Sequence, residues 1–76
     1  EDIALSKHFL KDVTIQNQIR GTITNIIDRD TTTLCLVDAG FPLVVEITAE
    51  SLKRMNIEVG SQVWCLFKSV AIDVAG

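Results

Sequence analysis

The chain has 76 residues, 47% of them hydrophobic and 22% charged, with a formal net charge of -3. That length bounds it to one small domain, and the composition excludes a disordered tail. The acidic balance argues against a nucleic-acid footprint, which needs clustered positive charge. Taken in chain order, residues 1–6 (EDIALS) carry a short apolar centre, Ile3-Ala4-Leu5, that reads as an edge strand or as the tail of an element from a preceding domain. Residues 7–12 are mixed and read as a linker. Residues 13–18 lead into a long strand over 19–27, with Ile19, Gly21, Ile23, Asn25 and Ile27 on one face. Gly21 within it marks a bend or a close backbone approach. Asp28-Arg29-Asp30 is a polar turn, followed by a second strand over 32–37 and a third over 43–47. The short connection between them predicts a hairpin.

One helix is predicted, over about 49–56. Thr48 is its N-cap, Glu50 sits in the first turn, Leu52 and Met55 share a face, and Asn56 closes it. Gly60 turns the chain into a fourth strand over 62–67, and residues 70–74 read as a fifth. Nine Ile, eight Val and seven Thr favour strands. The predicted fold is all-β: a small five-stranded OB-like barrel with one short helix, since closure is the economical way to bury so many strand edges.

Several functions are excluded or set low. No apolar run approaches the roughly 20 residues that span a bilayer, and no signal-peptide pattern opens the chain. An enzyme is disfavoured: the chain is short for a cleft, and no nucleophile–base pair or P-loop is visible. His8 reads as a solvated linker side chain. Asp28 and Asp30 read as turn chemistry, because two carboxylates make a poor cation site. Cys35 and Cys65 read as buried free thiols, with a single disulfide as the alternative. Two Cys and one distant His supply no metal site.

Three polar spots remain. Thr14-Ile15-Gln16-Asn17-Gln18 gathers a hydroxyl and three amides just before a strand. Lys68-Ser69 sits between two apolar stretches, and Lys68 is the only cation after Arg54. On its own it reads as a snorkelling surface lysine. Thr48 and Ser51 lie at the helix start, where capping is the ordinary role and anion binding the functional one. Brought together, these groups would suit a tetrahedral oxyanion: hydroxyls and N–H groups donate in several directions, and one lysine neutralises part of the charge.

These segments resemble a known family. Residues 14–23 (TIQNQIRGTI) are similar to the S-A-R-N-Q-L-R/K-G-x-I/V opening of the molybdenum-pterin-binding (Mop) fold, and residues 47–51 (ITAES) resemble the I-T-x-x-S that opens its helix. Residues 56–63 (NIEVGSQV) and 68–72 (KSVAI) look like its later segments, in the same order. Residues 1–6 resemble the stretch before the accessory TOBE domain in ATPase subunits of ABC importers. The resemblance implies a strand and linker from a preceding domain over 1–12 and a Mop/TOBE-like domain over 13–76. It implies a regulatory or accessory domain of a molybdate or tungstate importer ATPase, itself no enzyme and without organic cofactor. The oxyanion is expected between two copies, one giving the first segment and the other the helix and lysine segments. By position, Thr14, Ile15, Gln16, Asn17, Thr48, Ser51, Lys68 and Ser69 are the expected ligands. Gln16 stands where the family has arginine, and Ile15 where it has a small residue. The expected partners are a second copy and the parent nucleotide-binding domain, with no nucleic acid. The expected location is the cytoplasm, at the inner face of the membrane through permease subunits. The other readings are a purely structural dimerisation domain and a free-standing molybdate store.

Overall fold

A computed structural model describes residues 3–14 and 17–68 of the chain. Five strands and one helix follow in the order β1 (Ala4–Ser6), β2 (Asn17–Arg29), β3 (Thr32–Asp38), β4 (Pro42–Thr48), α1 (Ala49–Arg54) and β5 (Gln62–Phe67). The strands form a single antiparallel sheet in the order β1-β5-β2-β3-β4. It curls until its edge strands β1 and β4 touch, which makes it the all-β, OB-like half-barrel with one short helix.

The thirteen-residue β2 is the spine. Its first half pairs with β5, from Asn17 opposite Phe67 to Thr22 opposite Gln62. Its second half pairs with β3, from Thr22 opposite Asp38 to Arg29 opposite Thr32. The change of partner falls beside Gly21, which is buried. A Cβ there would lie 2.5 Å from Val37 Cγ1, so only glycine lets the two strands approach this closely.

The alternation expected along β2 breaks after Ile23. The register slips between Ile23 and Asn25, where a bulge inserts one residue. Ile23 is 1% exposed, but Asn25 and Ile27 face solvent and Ile26 packs on the core instead. The predicted face therefore holds from Ile19 to Ile23 and is corrected beyond it. Thr24 Oγ1 donates to the Leu36 carbonyl across this irregularity (3.1 Å).

The core gathers Ile23, Cys35, Val37, Val45, Ile57, Val63 and Cys65, with Leu52 and Met55 of the helix side packed against it. Both cysteines are free and buried, as the sequence reading favoured. The hairpin between β3 and β4 forms as expected, with Asp38 opposite Pro42. The helix is shorter than the predicted 49–56. It ends at Arg54 because Asn56 adopts a left-handed φ of 54°, a conformation Asn tolerates better than most residues. Gly60, with φ of 97°, then brings the connector back onto β2, where its N–H donates to the Ile23 carbonyl (2.8 Å) and Ile23 N–H donates to the Ser61 carbonyl (2.9 Å).

Residues 3–6 join the same sheet and core. β1 pairs with β5, Leu5 opposite Cys65, and Ile3 and Leu5 pack on the core. β1 is thus the fifth strand among the described residues. The strand expected over 70–74 lies outside them.

Candidate functional site

The expected oxyanion ligands separate into two groups. Asn17 opens β2 opposite Phe67, and the exposed Lys68 follows Phe67 directly, so both sit at the same end of β2. Thr14 is exposed in the segment leading to that end. Ile15, Gln16 and Ser69 lie outside the described residues.

Thr48 and Ser51 sit at the other end. Thr48 pairs with Thr32, and Thr32 with Arg29, the last residue of β2. Ala49 N–H donates to the Thr31 carbonyl (3.3 Å), tying the helix start to the β2–β3 turn. Thr48 Oγ1 accepts from Ser51 N–H (3.0 Å) and donates to Ser51 Oγ (2.9 Å). Its proton is therefore committed to the cap, and the Ser51 hydroxyl proton is the one left to donate outward. An extended strand of this length spans roughly 40 Å, and the domain's longest dimension is 40 Å. Among the described residues, Asn17 and Lys68 therefore stand apart from Thr48 and Ser51. The register also groups Lys68 with the first segment of its own chain and apart from the helix.

Residues 7–10, which follow β1, lie over the outer face of the sheet as a strap. Phe9 meets Trp64 edge-on, with ring centroids 5.1 Å apart, and the Arg20 guanidinium lies 5.9 Å from the Trp64 ring on the same face. Arg20 also donates to Gln62 Oε1. Lys7 Nζ donates to the Asn56 carbonyl (3.2 Å) beside a shallow cavity of about 380 Å³ lined by Leu52, Lys53, Ile57, Glu58 and Ser61. Gln18, one of the three amides of the first segment, donates from Nε2 to the Leu10 carbonyl (2.8 Å) and accepts Leu10 N–H at Oε1 (2.9 Å). One of its two Nε2 protons is thereby committed to the strap. Sequence pattern did not reveal this, because Leu10 belongs to no periodic element.

His8 is exposed on the strap, where its backbone N–H and carbonyl both engage the Ser6 hydroxyl. Among the described residues no group of His, Cys, Asp and Glu is arranged to hold a metal ion. Burial pushes the Cys35 and Cys65 thiols up from their ordinary value of 9.0, so both stay protonated and unreactive at neutral pH. No helix among the described residues is long and apolar enough to cross a membrane.

Residues 14–74 match the family model of the TOBE domain. Over 74 residues the chain is 30% identical to the molybdenum import ATP-binding protein ModC 1 of Azotobacter vinelandii, covering 93% of this chain and 20% of that protein. It is 31% identical to the molybdenum import ATP-binding protein ModC of Methylococcus capsulatus, again over 93% of this chain and 21% of that protein. The chain thus spans about a fifth of the curated relatives it matches. Among solved structures, the cytoplasmic molybdate-binding protein ModG with molybdate bound superposes with a TM-score of 0.78 at 14% identity, over 88% of this chain and 50% of that one. A molybdate-binding protein from Sporomusa ovata superposes with a TM-score of 0.75 at 23% identity, over 84% and 97%. At these identities the likeness shows the fold.

Proposed function

This chain belongs to the TOBE domain family, and we propose that it binds molybdate or tungstate between two copies of itself, as an accessory domain of an import ATPase. The observation that carries the reading is the division of the donors. Thr14, Asn17 and Lys68 lie toward one end of β2, and Thr48 and Ser51 at the other. Each half offers too few groups to replace the hydration of a dianion. Two copies, each presenting one end to the other, would complete the set, with Ile15 and Gln16 offering backbone N–H groups and Ser69 a further hydroxyl. The ligand class comes from the relatives' names: the ModC proteins are molybdenum import ATP-binding proteins, and both structural neighbours are molybdate-binding proteins.

The chemistry is binding without catalysis. Neutral donors with one ammonium leave a tetrahedral dianion partly charged, which suits reversible sensing. The occupied site would bias how two ATPase subunits sit together at the inner face of the membrane and so slow import when the anion is plentiful.

The test is thermal unfolding of the chain in molybdate, tungstate and sulfate. At about 100 times its dissociation constant a ligand adds roughly 2.7 kcal/mol, which raises the Tm of a domain of this size by about 10 °C or more. Molybdate and tungstate are expected to give this shift, sulfate a smaller one, and Lys68→Ala is expected to diminish it. No shift with any of the three anions at millimolar concentration would leave the purely structural dimerisation role.

A further inference from the structure

The strap that follows β1 is anchored by Lys7 on the Asn56 carbonyl, by Phe9 against Trp64, and by Leu10 on Gln18. The third anchor differs in kind from the others. One side-chain amide pairs with both the N–H and the carbonyl of Leu10, as a residue of a neighbouring strand would. Leu10 lies in no strand, and both residues are half-buried. Without Gln18 the two backbone groups would lose their partners where water reaches them poorly.

We propose that Gln18 is a positioning residue of the oxyanion site, a clasp that closes the chain between Leu10 and β2 and so sets how Thr14 and Asn17 are presented; the inference rests on the oxyanion reading above. Gln18 follows Asn17 directly and lies eight residues from Leu10, with Thr14 between them. A loop closed at its base before the ligand arrives loses less freedom on binding than an open one. The requirement is specific to glutamine. Asparagine is one methylene shorter, glutamate has no N–H for the Leu10 carbonyl, and methionine fills the same space with neither group.

The experiment compares the unsubstituted chain with Gln18→Met, Gln18→Ala and Ile57→Val, the last a mild core truncation outside the Leu10–Gln18 pair. Sodium molybdate is the probe, with affinity read by titration calorimetry, and exchange of the Leu10 amide is followed by NMR. Both Gln18 variants are expected to weaken molybdate binding about tenfold, a change of 1.4 kcal/mol, and to accelerate exchange at Leu10. Ile57→Val is expected to lower Tm and keep the affinity. Unchanged affinity in Gln18→Met, an equal loss in Ile57→Val, or a Leu10 amide already unprotected in the unsubstituted chain would overturn the clasp. If the unsubstituted chain binds neither molybdate nor tungstate, the oxyanion reading falls first. The exchange measurement then still decides whether Gln18 holds Leu10.

Discussion

At Gly21 a hydrogen is the largest substituent the backbone accommodates. A Cβ would sit 2.5 Å from Val37 Cγ1, and Val37 is itself 2% exposed with nowhere to move. Gly21→Ala is expected to cost about 1–3 kcal/mol in urea denaturation, as overpacking does, and Val37→Ala in the same chain is expected to recover part of that loss. A cost within the noise of the measurement would show that the strands relax apart. The glycine was legible in the sequence as a bend or close approach, but its contact with Val37 was not, because that contact depends on β3 folding over β2. The cysteines give a second residue-level prediction. Burial raises both thiols above 9.0, while the unfolded chain ionises them near that value. The folded state then holds more protons than the unfolded one as pH climbs past 9.0, so stability falls with rising pH above that point and is unaffected by these groups below it. Replacing both cysteines with alanine is expected to flatten this part of the curve between pH 8 and pH 10.5, measured as the denaturant midpoint. An identical slope in both chains would assign the loss to other groups.

At the scale of the element, the helix shows what local chemistry settles. Thr48 caps through bonds to Ser51 N–H and Oγ, as its residue type and position foretold. Thr48→Ala is expected to destabilise the fold by about 1 kcal/mol, with Thr48→Ser close to neutral; an equal loss in both would shift the role from the hydroxyl to the methyl. Asn56 was read as the residue that closes the helix, and it does so by turning left-handed, which sends Ile57, 6% exposed, into the core; only the last helical residue, Arg54, falls short of the expected bound. The break in β2 was not legible at all. Unbroken alternation from Ile19 puts Ile27 inward and Ile26 outward, and nothing in the sequence marks the extra residue that reverses them. The bulge after Ile23 chose Ile26, since the pairing with β3 must slip for β2 to coil round the core.

For the whole molecule, the proposed site makes a prediction that one chain cannot satisfy. If the first segment of one copy meets the helix start of another, Thr14→Ala and Ser51→Ala each weaken molybdate binding. An equal mixture of the two variants then regains some tight sites, because a mixed pair contains one interface with both residues intact. Titration of the mixture is expected to reveal this tight fraction, and its absence would place both residues in one copy's site or in none. The strand pattern, the capped helix, the buried thiols and the family-like polar segments could all be read from the chain, because each depends on neighbours within a few residues. The assignment of β1 to the same sheet, the slip in β2, the capture of Leu10 by Gln18 and the parting of the polar spots to opposite ends of β2 depend on which strands lie side by side. Pairing between distant segments is set by how the sheet closes over its core, and residue order carries no direct record of that closure.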